Sequence, residues 1–140
     1  MTLDSRKFSQ ETYKALIALK EGDRDSKRDT KLEPKHCQKA TGIIQGLPTY
    51  ISTWGLHRLT GDMKKFLAGT AEDTKYKGKV YKEFLYRLKA MSGVDFDPEK
   101  EESLINLQPL RRYTTLNHLA IKLAKEWSFW APSILGEAEE

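Results

Sequence analysis

Residues 47–59 read LPTYISTWGLHRL, a segment with apolar side chains at helical spacing around one proline and one glycine. Proline has no backbone N–H and glycine is flexible, so both cost helix stability at an ordinary interior position. We therefore expect Pro48 to start a new helix after a stop at Gly46. We expect Gly55 to admit a close contact from a neighbouring helix, with the segment 113–130 as the candidate. The segment contains no Cys, Asp or Glu, so it points to a packing arrangement rather than to a catalytic centre.

Apolar residues recur every three or four positions along most of the chain, which is typical of amphipathic helices. Such stripes predict helices over about residues 5–20, 34–46, 48–68, 80–91, 99–107 and 109–131, with Pro132 limiting the last. Strands are not predicted, because the chain has no sustained period-two run and no Asn-Gly or Asp-Gly hairpin signal. The sequence therefore predicts an all-α fold, a compact bundle of about five to six helices.

The length of 140 residues is that of one domain, and we expect residues 1–140 to form a single helical domain. Charged residues dominate the segment after the first helix, which predicts a mobile loop over about 21–33. A second polar loop is expected at 69–79 and a frayed tail at about 136–140. No apolar run approaches the roughly 20 residues that span a bilayer, and no signal peptide is recognisable. With a single cysteine as well, we expect a cytoplasmic protein.

Few residues form a pattern that catalysis or metal binding requires. His36 and Cys37 are adjacent, but a zinc site needs three or four ligands and the chain has no second cysteine. The glycines fit neither a P-loop nor a dinucleotide fingerprint, and the carboxylates of residues 95–102 suit solvated positions. We therefore expect no catalytic residue, no metal site and no cofactor. One enzyme hypothesis stays open, a Cys37 nucleophile with His57 or His118 as its base.

The net charge of +4 is unevenly distributed. Residues 41–92 hold nine Lys and Arg against four Asp and Glu, whereas residues 93–140 hold five against nine. A basic middle and an acidic end suit a protein that contacts nucleic acid on one face and protein on another. The alternative is an ordinary solvated surface.

Basic residues that folding could gather into one stripe are the candidates for contacts with RNA phosphates. These candidates are Arg58, Lys64, Lys65, Lys82, Arg87, Lys89, Arg111 and Arg112. Aromatic residues add a second possibility, because Trp54, Tyr113, Trp127 and Trp130 could stack on bases, although their spacing among Leu and Ala favours the core. Phe129 lies off the apolar stripe, so we expect it to be exposed and available to a protein partner.

Three motifs, taken in order, resemble the Cmr-type small subunit of type III-B CRISPR–Cas effector complexes. The first is Gly46-Leu47-Pro48, then Tyr50-Ile51 and Trp54-Gly55-Leu56, with Phe66-Leu67 downstream. The second is the helix that opens on Tyr81-Lys82-Glu83-Phe84 and continues to Leu88. The third is the terminal helix, with Tyr113-Thr114-Thr115-Leu116, Ala120, Ala124-Lys125-Glu126-Trp127 and Trp130. The resemblance covers about residues 35–131, and it departs from the family at Trp54, where a small polar residue is common.

The resemblance implies a non-catalytic subunit of an RNA-guided, RNA-targeting complex. Several copies would stack head to tail beside the backbone subunits and contact the guide RNA and target RNA through a basic face. Its partners would be further copies of itself and the other subunits, with no membrane and no small-molecule substrate. The acidic final third would suit contact with a basic neighbouring copy. The alternative function is a helical protein-interaction adaptor without RNA binding, for which the basic residues would scatter over the surface.

Overall fold

The computed structural model describes residues 5–22 and 28–138. Within these ranges the chain forms six α-helices, one turn of 3₁₀ helix and no strand, which confirms the predicted all-α bundle. The helices are α1 (Ser5–Glu21), α2 (Cys37–Trp54), α3 (Leu56–Ala68), α4 (Glu72–Ser92), α5 (Glu101–Ile105) and α6 (Leu110–Leu135), and the 3₁₀ turn is Pro34–His36. None of the described helices combines the length and the hydropathy that crossing a membrane requires.

An antiparallel pair, α2 and α6, forms the centre of the bundle. At one end the Thr41 hydroxyl of α2 donates to the Gly136 carbonyl just after α6, at 2.7 Å. At the other end the backbone N–H of Leu56 donates to the Asn117 side chain of α6, at 2.8 Å. These two bonds fix which end of α6 meets which end of α2.

The core fills the space between this pair and the helices packed on it, α1 and α4, while α3 packs along α4. Trp127 and Phe84 lie at its centre, both fully buried, with their rings edge to face at a centroid distance of 5.1 Å. Edge-to-face contact places the positive edge of one ring against the negative face of the other, which adds to the area that the two rings bury.

The prediction for Pro48 is wrong, because α2 runs without interruption from Cys37 to Trp54. Pro48 has no N–H to offer the Ile44 carbonyl, which is a loss of one helical hydrogen bond. The neighbouring Leu47 and Ile51 are nevertheless almost completely buried. Their packing keeps the helix continuous, because tertiary contacts outweigh local propensity in most helices of folded proteins.

The helix break falls instead at Gly55, between α2 and α3. Its φ of +89° lies in the region that side chains with a Cβ rarely adopt. Pro132 likewise does not limit α6, which continues to Leu135. After it, Gly136 packs on Gln38 of α2. The expected frayed tail is therefore docked at Gly136, while residues 139–140 lie outside the described residues.

The polar loop expected at 69–79 is mostly helix, because α4 begins at Glu72. Tyr76 and Gly78 are buried in this first part of α4. A Cβ on Gly78 would lie 2.7 Å from the Leu67 side chain, so the glycine allows α3 and α4 to approach closely. Lys75, Lys77 and Lys79 consequently lie on a helix and not in a loop.

The charged loop over about 21–33 lies partly outside the described residues, which resume at Arg28. From there to Glu33 the chain has no regular structure, as expected for a loop. Thr30 and Leu32 are nevertheless buried, and the Leu32 N–H donates to the Leu19 carbonyl at 2.7 Å. This part of the loop is therefore packed against the bundle.

Candidate nucleic-acid interface

The junction between α2 and α3 is held by α6, through contacts that only a glycine at residue 55 permits. A Cβ on Gly55 would lie 2.8 Å from the Tyr113 hydroxyl and 2.9 Å from the His57 ring. The expected close approach to the helix that contains Tyr113 is therefore confirmed.

Two side chains of α6 satisfy polar groups at the start of α3. Asn117 accepts from the Leu56 N–H, which is one of the first N–H groups of a helix that lack a helical partner. The Tyr113 hydroxyl lies 2.7 Å from Nδ1 of His57 and accepts from the His57 backbone N–H at 3.4 Å. The direction of the bond between the hydroxyl and Nδ1 depends on the His57 tautomer, and either direction ties the His57 ring to α6.

This junction brings three of the eight candidate RNA-binding residues to the same end of the bundle. Arg58 follows His57, while Arg111 and Arg112 precede Tyr113, and all three arginines are exposed. The Arg58 guanidinium lies 4.4 Å from the centre of the Trp54 ring, in a cation–π arrangement. We call these four residues, Arg58, Arg111, Arg112 and Trp54, the arginine end.

Three other candidates are engaged with carboxylates elsewhere. Lys64 lies 3.8 Å from Glu101 and Lys82 lies 3.3 Å from Glu99. Arg87 donates to Glu83 at 2.6 Å on the same helix. The positive charge of these three residues is therefore partly offset by neighbouring carboxylates.

The last two candidates lie apart from each other. Lys65 is exposed on α3, seven residues beyond Arg58, which places it on the same face and about 10 Å further along the helix. Lys89 lies near the end of α4, where it lines a shallow groove together with Arg28 and Asp95. Lys65 can therefore extend the arginine end, whereas Lys89 belongs to another surface.

The Glu83 carboxylate of α4 is completely buried. It accepts hydrogen bonds from the segment that follows α1 and from α4 itself. Arg28 donates to it at 3.0 Å and Thr30 at 2.8 Å, in addition to Arg87. Burial raises the pKa of Glu83, but the hydrogen bonds from Arg28, Arg87 and Thr30 outweigh burial and hold it below its ordinary value. Arg87 therefore belongs to a structural clamp that ties residues 28–30 to α4.

A cleft of about 270 Å³ opens beside the arginine end, between α3, α5 and the start of α6. Its apolar wall consists of Leu104, Ile105, Leu107 and Leu110. Its polar residues are His57, Gln108 and Tyr113. Ile105 and Leu110 are exposed by 61% and 73%, and because both line this cleft they give it an exposed apolar rim.

The aromatic candidates separate into different environments. Trp127 is fully buried in the core and Trp54 is 53% exposed at the arginine end. Trp130 donates its N–H to Glu126 at 2.8 Å and stacks on Phe129 at a centroid distance of 5.0 Å. Phe129 is 65% exposed, as its position off the apolar stripe predicts.

The geometry does not form the Cys37 dyad that the sequence left open. Cys37 is the first residue of α2, whereas His57 and His118 flank the junction at the other end of that helix, about 25 Å away. Burial raises the pKa of the Cys37 thiol, which disfavours the thiolate. Among the described residues, no three His, Cys, Asp or Glu side chains are grouped as a metal site would require.

Sequence reasoning did not predict that His57 and Asn117 build the junction, or that Leu110 and Ile105 are exposed. No local signal marks the pairing of Asn117 with the Leu56 N–H, because the two are far apart along the chain.

Comparison with models of protein families gives no match, and no curated protein and no solved structure matches the chain. The resemblance to the Cmr-type small subunit therefore rests on the sequence motifs alone.

Proposed function

We propose that this protein is a non-catalytic subunit of a type III CRISPR RNA-guided, RNA-targeting complex, similar to the Cmr-type small subunit. In this role several copies stack beside the other subunits, in the cytoplasm, and contact guide RNA and target RNA mainly through phosphates. Base pairing between the two RNA strands then reads the sequence, so the protein needs shape and positive charge rather than a reactive centre.

The observation that carries this proposal is the arginine end. Among the residues that the structure describes, Arg58, Arg111 and Arg112 make no ion pair, unlike the lysines on α3 and α4 that face carboxylates. Arginine suits phosphate contact because its planar guanidinium can donate two parallel hydrogen bonds. The exposed Trp54 beside Arg58 adds a surface on which a base or a ribose can stack.

A helical adaptor without RNA binding is the second candidate, and a different surface favours it. An apolar groove of about 340 Å³ lies between α1 and α6, with Tyr13 and Trp130 in its lining. Tyr13 is more than half exposed, and so is Phe129, which stacks on Trp130. Aromatic residues of this kind are enriched in protein–protein interfaces.

Two triple variants with equal loss of charge distinguish these functions. The first is Arg58→Gln, Arg111→Gln and Arg112→Gln. The control is Lys35→Gln, Lys64→Gln and Lys82→Gln, which removes three lysines that each lie within 4 Å of a carboxylate. Binding of a labelled single-stranded RNA is measured by fluorescence anisotropy at low salt.

We expect the arginine variant to bind RNA at least 10-fold more weakly and the lysine control to change by less than about 3-fold, because only the unpaired cations are free to replace counterions on phosphate. Equal losses for the two variants would mean that net charge alone drives binding. If the unmodified protein does not bind RNA, the RNA-binding function is rejected and the adaptor function is the remaining candidate. Membership of the CRISPR complex is tested separately by gene neighbourhood, where an adjacent array and backbone-subunit genes are expected.

A further inference from the structure

The cleft beside the arginine end has the size and the lining of a site for one planar group. Its volume of about 270 Å³ is just below the roughly 300–1,000 Å³ of pockets that hold drug-sized molecules. The Leu104 and Leu107 side chains supply an apolar wall, and the Tyr113 ring supplies an aromatic one.

Polar atoms in the lining can recognise the edge of such a group. The Tyr113 hydroxyl is hydrogen-bonded to Nδ1 of His57, so Nε2 is the ring nitrogen left for a ligand, as a donor or an acceptor according to the tautomer. The Gln108 side chain, which also lines the cleft, offers both a donor and an acceptor. A nucleobase edge presents carbonyl oxygens and ring nitrogens that accept, and amino groups that donate.

Charge around the cleft selects a ligand that carries phosphates. Arg58 adjoins the lining residue His57, and Arg111 and Arg112 lie between the lining residues Leu110 and Tyr113. Exposed arginines next to the cleft can hold the phosphates on either side of a nucleotide whose base faces the cleft. An apolar side chain of a protein partner would use the wall but would not itself engage the three cations.

We propose that this cleft binds one unpaired nucleobase of a single-stranded RNA, with the flanking phosphates held by the arginine end. The inference rests on the proposed RNA-binding function and extends it, since contact with phosphates alone requires no cleft. Single-stranded RNA is commonly recognised in this way, by unstacked bases placed against aromatic and polar side chains.

The test compares an RNA of about 12 nucleotides, long enough for one binding site, with the same RNA carrying abasic positions in its middle. Abasic RNA keeps every phosphate and ribose and lacks the bases. Two cleft variants are used, Leu110→Ser, which removes part of the wall, and Ile105→Trp, which fills the opening. Both residues are largely exposed, so the variants are expected to fold. Phe129→Ser is the matched control, an exposed apolar residue outside the cleft.

We expect the intact RNA to bind the unmodified protein at least about 5-fold more tightly than the abasic RNA, as one stacked base is worth 1–3 kcal/mol. Both cleft variants should lose this preference and bind the abasic RNA as the unmodified protein does, while Phe129→Ser keeps the preference. Equal, salt-sensitive binding of intact and abasic RNA would overturn the base site and leave the proposed function standing. Cleft variants with unchanged preference would also overturn it and would favour a protein side chain as occupant. Failure of both RNAs to bind at low salt would reject the proposed function together with this inference.

Discussion

Among single residues, Glu83 has the largest predicted effect on stability. Its buried carboxylate faces two guanidinium groups, from Arg28 and Arg87. We expect Glu83→Gln to lower the free energy of unfolding by about 3 kcal/mol, since removal of one partner leaves the opposite charges without compensation. Urea unfolding at pH 7 measures this. Glu102→Gln, which changes an exposed carboxylate, is the control and should stay within about 0.5 kcal/mol.

The same residue predicts a pH dependence. The pKa of Glu83 is lower in the folded protein than its ordinary value of 4.5, so its contribution is complete above that pH and disappears as the pH falls through the folded pKa. The difference in stability between the unmodified protein and Glu83→Gln should therefore shrink at acid pH. A constant difference between pH 7 and pH 3 would contradict the role of this carboxylate.

Two buried threonines allow the contribution of one buried hydrogen bond to the free energy of unfolding to be measured. Both are completely buried, but the Thr60 hydroxyl has no partner among the described residues, whereas the Thr41 hydroxyl donates to Gly136. Thr60→Val should raise the free energy of unfolding by roughly 1 kcal/mol, because it removes a polar group buried without a partner. Thr41→Val should lower it by about 1–2 kcal/mol, as the Gly136 carbonyl loses its donor. Changes of the same sign, measured by urea unfolding, would refute the comparison.

At the scale of helices, the break at Gly55 separates α2 from α3, and its backbone and its contacts both require glycine. Gly55→Ala should cost about 1–3 kcal/mol, since a Cβ meets Tyr113 and His57 in a strained conformation. Gly61→Ala is the control, because Gly61 lies inside α3 with open space where a Cβ would lie. That change should raise stability by roughly 0.5–1 kcal/mol. Thermal unfolding of both variants checks the prediction, which fails if Gly55→Ala melts at or above the temperature of Gly61→Ala.

Helix periodicity was sufficient to predict the fold class, and it was insufficient to predict where helices end. Pro48 and Pro132 lie inside helices because the side chains around them are buried on both sides of the proline. The early start of α4 depends on Gly78, because only a residue without a Cβ allows Leu67 of α3 to pack at this position. This contact cannot be read from the sequence around Gly78. Boundaries of this kind follow from contacts between helices, which local propensity does not contain.

At the scale of the whole molecule, the sequence predicts which cations are candidates for the site but not how the fold groups them. Arg58 and Arg112 are far apart along the chain and lie at the same end of the bundle only because α6 packs on the start of α3. Lys64 and Lys82 carry the same charge, yet each faces a glutamate that follows α4 in the sequence. Charge counts along the chain could not separate the unpaired arginines from the paired lysines, because the carboxylates that pair with the lysines come from another segment.

The number of free cations at the arginine end predicts the salt dependence of RNA binding. Three arginines on the phosphates of a single strand give a slope of about −2 for log K against log salt concentration, or roughly 16-fold weaker binding between 50 and 200 mM salt. Anisotropy titrations at four salt concentrations measure this slope. A slope near zero would exclude phosphate contact, whereas a much steeper slope would require further cations such as Lys65.

The placement of the tryptophans has an optical consequence. Trp54 is half exposed to water beside a guanidinium, while Trp127 is sealed in the core against Phe84. Indole emission shifts to longer wavelength in water, so these two residues emit in different parts of the spectrum. Trp130, which is partly buried, contributes as well. A change at the red edge that leaves the blue edge unaltered would therefore indicate that something covers an exposed tryptophan while the bundle stays intact, without any attached dye.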